Sequence, residues 1–264
     1  MGTAFWFKLG LSFIVGGAWV SLSTLAAERY GSKIGGLIGG LPSTVVVTLL
    51  FIGLTQTVNA ASEATLLVPL AMGINGFFII VFILTARRGL LPSLLLALLT
   101  WFILASVLIA IDIQHFYVSI AGWIALVLIC FLIIERWLKV PSQQKARVPY
   151  TPAQIIFRGL FGGTIIAFAV LMGKLGGPVY GGIFATFPAI FLSTLVITYR
   201  SAGVDFSQAV ARSLITSGMI TVPIYAILAR YLFAWSGLIY GTAIALLLSY
   251  CGGYLTYLYM RAQP

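Results

Sequence analysis

The sequence predicts an all-α protein that crosses a membrane many times. Of its 264 residues, 61% are hydrophobic and only 8% are charged, whereas a soluble globular protein typically has about 25% charged residues. The apolar segments are long and do not alternate with polar residues, which excludes a transmembrane β-barrel. Inside a bilayer each backbone polar group needs a partner within the protein, and an α-helix supplies it. The predicted fold class is therefore a polytopic membrane helix bundle.

Nine segments are long enough to span the bilayer as helices, since a span needs about 20 apolar residues. They are 4–27, 34–54, 64–85, 90–111, 115–135, 154–173, 179–199, 207–231 and 235–259. Residues that favour a helix start precede several of them; Thr151-Pro152, for example, opens the sixth. The first segment is long enough to span, and we therefore interpret it as a transmembrane helix rather than a cleaved signal peptide.

The basic residues predict the orientation in the cell membrane, because Lys and Arg collect on cytoplasmic flanks. Nine alternating spans place only Lys8, Lys174 and Arg230 of the 15 basic residues on the side of the N-terminus. We therefore expect the N-terminus outside and the C-terminus in the cytoplasm. The charge is spread over loops, so the expected partners are the lipid bilayer, with anionic inner-leaflet lipids at the basic loops, and not nucleic acid.

The chain contains an internal repeat. Residues 31–50, GSKIGGLIGGLPSTVVVTLL, align with residues 177–196, GPVYGGIFATFPAIFLSTLV, at a shift of 146 residues. The identical positions are Gly31/Gly177, Gly35/Gly181, Gly36/Gly182, Pro42/Pro188, Thr48/Thr194 and Leu49/Leu195. These segments are the second and seventh spans, and an odd number of crossings between them makes the two copies run in opposite directions. We predict two inverted four-helix repeats, 1–112 and 154–264, with a linker helix at 113–137 and a basic cytoplasmic loop at 138–153.

Inverted repeats are the construction that many secondary transporters use for alternating access. In this 4+1+4 layout alone, the chain resembles drug/metabolite transporters and fused fluoride channels. The Thr/Ser/Phe-rich motif of the fluoride channels has no clear equivalent here, and Asn75 in GINGFF is the nearest feature. We predict a small transporter of a small-molecule solute, with a passive channel of the fluoride-channel-like layout as the alternative. A lipid or polyprenyl-phosphate translocase is a second alternative, and a homodimer is possible.

The predicted solute site lies at two spans that Gly and Pro interrupt near their middle. Proline removes a helical hydrogen bond, and glycine lowers the cost of unwinding. Such matched interruptions are the best sequence indication of a transport site, while close packing through small residues is the alternative explanation. The candidate solute-binding residues are Gly39, Gly40, Pro42, Ser43, Thr44, Asn75, Gly181, Gly182, Thr186 and Pro188.

The ionisable residues map to the ends of the predicted spans. Lys8, Arg158 and Arg212 lie about one turn or more inside, where we expect their long side chains to reach back to the membrane surface. With no central carboxylate, a proton relay or a cation site is disfavoured. The expected solute is neutral, zwitterionic or a small anion. The sequence shows no catalytic or metal-binding motif, so we expect no enzymatic activity, cofactor or metal.

Overall fold

The computed structural model describes residues 2–39, 42–138 and 150–262, and their side chains except those of 26–39, 216, 256–257 and 259–262. This part of the chain is helical and has no β-strand. The helices are α1 Thr3–Gly39, α2 Ser43–Thr55, α3 Val58–Ala64, α4 Val68–Thr85, α5 Leu90–Ile111, α6 Phe116–Leu132, α7 Pro152–Leu175, α8 Pro178–Ala185 and α9 Ala189–Ala262. A short 3₁₀ turn, Ala86–Arg88, follows α4, and a π-helical segment, Ile133–Leu138, continues α6.

Six helical segments in the described part are long and apolar enough to cross a membrane, which makes the protein a multi-pass membrane helix bundle. They are Thr3–Leu25, Val58–Arg88, Leu90–Ile111, Phe116–Leu138, Pro152–Leu175 and Pro178–Leu255. The number differs from the predicted nine for two reasons. Helix α2 is apolar but has only 13 residues, and the predicted last three spans form one apolar run of 78 residues.

The first helix extends further than the sequence predicted. The loop expected between spans 4–27 and 34–54 is wrong, because α1 runs without a break from Thr3 to Gly39. The expected loop rested on the charged residues Glu28, Arg29 and Lys33, but long charged side chains are good helix formers. A helix ends where its backbone hydrogen bonds can no longer form, and here that point is close to Pro42, which has no amide N–H.

Two glycines divide the long α9 into three helical stretches. Gly203 has φ 85° and Gly237 has φ 76°, a left-handed backbone region that glycine adopts without steric cost. The chain therefore changes direction at both positions, between the stretches 189–202, 204–236 and 238–262. These turns fall at or near the predicted junctions between the seventh, eighth and ninth spans.

Helices α1 and α7 cross at a contact between glycines. A Cβ atom added at Gly17 would lie 2.9 Å from the carbonyl oxygen of Gly159, and one added at Gly163 would lie 3.3 Å from the amide nitrogen of Gly17. Further along α1, the Thr24 hydroxyl accepts a hydrogen bond from Arg158, near the start of α7. Residues later in α1 therefore contact residues earlier in α7. The two helices are antiparallel, and small residues let their backbones approach closely.

Helix α4 lies at the centre of the bundle, whereas α5 and α6 lie at its edge. In the most apolar stretch of Val58–Arg88, 83% of the residues are buried, against 22% for Leu90–Ile111 and 17% for Phe116–Leu138. Helix α4 packs against α5, α6 and α9. Polar side chains on α4 therefore face protein, and most of the α5 and α6 surface is left for lipid.

Candidate functional site

Both predicted helix interruptions are present. Helix α1 ends at Gly39 and α2 begins at Ser43, with Pro42 in a non-helical conformation of φ −75° and ψ 40°. Helix α8 ends at Ala185 and α9 begins at Ala189, so that Thr186 and Pro188 lie in the gap. The predicted site residue Gly40 lies outside the described residues.

Asn75 bonds to the second interruption from the central helix α4. Its Nδ2 atom donates to the carbonyl oxygen of Thr186 at 2.8 Å and also lies 3.2 Å from the Met72 sulfur. Only the amide nitrogen can donate to a carbonyl, so this contact fixes the orientation of the amide group. The Oδ1 atom of Asn75 is buried and has no hydrogen-bond partner among the described residues. The structure thus brings two predicted site residues into direct contact and leaves a buried acceptor beside them.

Local hydrogen bonds hold the chain through the second interruption. The amide of Thr186 donates to Ile183 O at 3.0 Å, and the amide of Phe187 donates to Phe184 O at 3.1 Å. The Thr186 hydroxyl also donates to Ile183 O, at 2.7 Å. These bonds form a tight turn that satisfies the last carbonyls of α8. The Thr186 carbonyl is left for Asn75.

The residues after the first interruption are buried in the first turn of α2. Pro42, Ser43 and Thr44 are all buried, and the carbonyl of Pro42 accepts from the amide of Val46 at 2.8 Å. The hydroxyls of Ser43 and Thr44 thus lie inside the bundle. The equivalent residues 146 positions later are Ala189 and Ile190, which have no hydroxyl group.

Gly181 and Gly182 lie at tight helix contacts. An added Cβ at Gly181 would lie 2.8 Å from the Cα atom of Gly173 on α7. One at Gly182 would overlap the carbonyl oxygen of Ala64 on α3 and lie 2.8 Å from the carbonyl carbon. Both positions fit the close-packing explanation, because only a residue without a side chain allows these distances.

Aromatic side chains that the sequence analysis did not single out surround the second interruption. The Trp101 ring on α5 packs edge-on against Phe187 at 5.1 Å and lies 6.4 Å from the Phe184 ring. Its indole nitrogen is buried with no partner among the described residues. Phe168 on α7 packs edge-on against Phe184 at 5.1 Å. In a chain with 18 Phe, 12 Tyr and 6 Trp residues, sequence position alone does not identify this group.

The expectation that Arg158 reaches back to the membrane surface is wrong. Its side chain is inside the bundle, and the residue is only 4% exposed. Nε donates to the Thr24 hydroxyl at 3.1 Å, and Nη1 donates to the Thr194 hydroxyl at 2.8 Å. The Tyr150 ring lies 5.4 Å from the guanidinium carbon. The only sequence signal was an arginine two turns into an apolar helix, which also fits a snorkelling side chain.

Comparison with known proteins places the chain in a family. A family model described as "Protein of unknown function (DUF3147)" matches residues 9–115 and again residues 155–261. The chain belongs to the DUF3147 family. The two matches start at 9 and 155 and end at 115 and 261, so both ends differ by 146 residues. This is the shift at which the two Gly- and Pro-containing segments align. No curated protein and no solved structure matches the chain.

Proposed function

We propose that this DUF3147 protein is a non-enzymatic secondary transporter built from two inverted repeats, which moves a small solute by alternating access. The observation that carries the proposal is the reciprocal contact between α1 and α7. Gly17 contacts the carbonyl of Gly159, and Gly163 contacts the carbonyl of Phe13. A shift of 146 residues converts Gly17 into Gly163 and Phe13 into Gly159, so each contact is the image of the other. A second such pair consists of Gly16 with Ile166 and Gly162 with Val20.

Reciprocal contacts of this kind are the signature of a two-fold axis. Because α1 and α7 are antiparallel at the crossing, the axis runs across the helices rather than along them. In a membrane, such an axis lies in the plane of the bilayer and relates one half to an inverted copy of the other. Many secondary transporters have this symmetry.

The helix boundaries support the same duplication. Helix α2 begins at Ser43 and α9 begins at Ala189, which is 146 residues later. Helix α3 begins at Val58, and the stretch of α9 that follows Gly203 begins at Val204, again 146 residues later. On this basis we propose nine crossings in a 4+1+4 arrangement, in which the turns at Gly203 and Gly237 separate the last three.

Four long-range polar contacts near the ends of the proposed spans support the nine-span layout. Each joins two residues that this layout assigns to the same face. On the N-terminal face these are Lys8 with Leu54 and Arg230 with Ser62, and on the opposite face Arg87 with Asp205 and Arg212 with Glu135. We propose that the second face is cytoplasmic, where its basic loops meet anionic lipids, and that the N-terminus is outside.

The solute site is proposed at the interruptions. Backbone groups that a helix break releases need other partners, and at the second break Asn75 meets one of them and retains a free acceptor. Repeat-related breaks at Pro42 and Pro188 give each half one hinge. Exchange between two arrangements of the halves would open the site to one face at a time.

Cysteine labelling at a repeat-related pair tests the inversion. Arg88 follows α4, and Ala234 is its equivalent 146 residues later; both are exposed. Arg88→Cys and Ala234→Cys are made separately in a background in which Cys130 and Cys251 are replaced by alanine. A membrane-impermeant maleimide is applied to intact cells and to permeabilised cells. We expect Ala234→Cys to react in intact cells and Arg88→Cys to react only after permeabilisation.

Reaction of both cysteines from the same side would exclude inverted repeats and, with them, the proposed transport mechanism. Function is measured as uptake into proteoliposomes of a panel of small carboxylates, phosphate, amino acids and sugars, against empty liposomes. Uptake that follows a gradient but saturates with solute concentration is expected for a carrier. A flux that rises linearly without saturation would instead favour a channel.

A further inference from the structure

Arg158 is the one charged side chain among the described residues that is buried inside the bundle. We propose that Arg158 and Thr194 form a binding site for an oxyanion, either a carboxylate or a phosphate. The inference rests on the proposed transport function, because it names small oxyanions as the class of solute that is transported. It also assigns to Arg158 a role that the sequence analysis did not consider.

The guanidinium group has unused donors. Arginine carries five N–H groups in a rigid plane, and two of those on Arg158 donate to the hydroxyls of Thr24 and Thr194. Three N–H groups have no acceptor among the described residues. The Thr24 hydroxyl proton is already donated to Val20 O at 2.8 Å, whereas the described residues provide no acceptor for the Thr194 hydroxyl proton. The guanidinium and Thr194 can therefore donate together to one ligand.

No described carboxylate neutralises this buried charge. Asp205 pairs with Arg87 and Glu135 pairs with Arg212. Asp112 accepts from Gln114 in the turn after α5, and Glu63 lies on α3 near the opposite face. The fifth acidic residue, Glu28, lies outside the described side chains. A buried charge costs several kcal/mol unless it is paired, and two neutral hydroxyls and a tyrosine ring carry no negative charge.

The chemistry of arginine favours an oxyanion over other anions. Its planar fork matches the two oxygens of a carboxylate or phosphate, to which it can donate two parallel hydrogen bonds. A charged residue buried in a membrane bundle typically marks a substrate or ion pathway. Thr194 also links the site to the proposed hinge, because it lies six residues after Pro188, in the first stretch of α9.

The site is present at only one of the two positions that the proposed two-fold axis relates. Shifting by 146 residues replaces Arg158 with Ser12, Thr194 with Thr48 and Thr24 with Val170. Neither Ser12 nor Val170 carries a charge, and the Thr48 hydroxyl is buried with no partner among the described residues. The two-fold arrangement thus has a positive charge near the proposed cytoplasmic face and none at the equivalent point near the outer face.

Thermal unfolding of the purified full-length protein in a neutral detergent tests the site. Inorganic phosphate and acetate are titrated separately, with chloride keeping the ionic strength constant. We expect a saturable rise in the unfolding temperature of the wild-type protein, because a ligand that binds only the folded state stabilises it. Arg158→Gln should abolish the rise. Arg87→Gln, at an exposed ion pair, should leave it unchanged and excludes a general effect of lost positive charge.

Thr194→Val keeps the side-chain shape and tests the same site if Arg158→Gln does not fold. Loss of a hydrogen bond to a charged ligand should weaken the apparent affinity about tenfold. Glu28→Gln tests the competing explanation that Glu28 neutralises Arg158. If wild type shows no rise and Glu28→Gln gains one, Glu28 is the native partner and the proposal fails.

The source of the oxyanion is distinguished with lipid. Repeating the titration after adding phosphatidylglycerol at a fixed ratio should leave the phosphate response intact for a solute site and remove it if a lipid headgroup already occupies the site. No response of wild type to phosphate, acetate or phosphatidylglycerol, or an unchanged response in Arg158→Gln, would overturn the proposal. Anion binding without inverted labelling would contradict the transporter alone, and inverted labelling without anion binding would contradict the anion site alone.

Discussion

Replacement of Asn75 by leucine separates a structural role from a functional one. Leucine has the closest branched shape among apolar residues, and Asn75 is only 1% exposed, so the substitution tests polarity more than volume. It removes the 2.8 Å hydrogen bond to the carbonyl of Thr186. Hydrogen bonds between membrane helices contribute about 0.6 kcal/mol on average and up to about 1.7 kcal/mol.

The same substitution exchanges one unsatisfied buried acceptor for another. The Oδ1 atom of Asn75 has no partner among the described residues, and an unsatisfied buried acceptor is worth about 1–3 kcal/mol of destabilisation. Leucine removes this acceptor but leaves the Thr186 carbonyl without its donor, so these two effects largely cancel and the loss of the hydrogen bond remains. We therefore expect Asn75→Leu to lower the free energy of unfolding by less than about 1.7 kcal/mol, the upper end for a hydrogen bond between membrane helices.

Two measurements on the same preparation test this reasoning. Unfolding is followed by far-ultraviolet circular dichroism in mixed micelles of increasing SDS content, and solute uptake into proteoliposomes is normalised to folded protein. Uptake should fall at least about tenfold, as loss of a hydrogen bond to a bound solute predicts. Thr85→Val is the matched control, because among the described residues the Thr85 hydroxyl bonds only within α4, to Val81 O at 2.6 Å. A loss of more than about 3 kcal/mol with wild-type uptake per folded molecule would make Asn75 a structural residue and refute the argument.

Two further predictions concern the glycines and prolines of the interrupted helices. Gly182→Ala should lower the unfolding free energy by about 1–3 kcal/mol, the usual cost of overpacking, because the new Cβ atom would overlap a backbone carbonyl of α3. The control Gly10→Ala should be neutral, because its Cβ atom would meet nothing within 4 Å. Equal denaturation midpoints for the two variants would contradict the close contact at Gly182. Pro42→Ala and Pro188→Ala each restore a backbone donor and should slow uptake while keeping or raising thermal stability. Wild-type uptake in both variants would show that these prolines only shape the bundle.

Sequence reasoning succeeded where the determining interactions are local. The break at Pro188 follows from the missing amide of proline, and the turn at Gly203 falls between the predicted spans 179–199 and 207–231. The matching Gly and Pro positions predicted the repeat shift of 146 residues, and the two family matches have the same offset. The boundary of α1 was missed because three charged residues were taken as a loop, although charge does not interrupt helical hydrogen bonding.

The candidate site was only partly predictable. Asn75 stood out as an amide in an apolar helix, but its partner Thr186 is 111 residues away. Gly182 was a candidate for the solute site, with close packing as the alternative explanation, and only the approach of α3 supplies the contact that favours packing. The position of Arg158 two turns into α7 fits both a snorkelling and a buried side chain, and the neighbouring helices decide between them.

Three features follow from the sequence: the chain is a membrane helix bundle, two of its helices break at known residues, and its halves are related by a shift of 146 residues. Each of these depends on composition, backbone chemistry or identity at fixed spacing. Contacts between helices were needed to show which helices are central, which polar atoms form hydrogen bonds and that Arg158 is buried. The physical reason is the solvent: lipid is as apolar as the protein interior. A buried face and a lipid-facing one therefore carry the same kinds of residue, and hydropathy cannot distinguish α4 from α6.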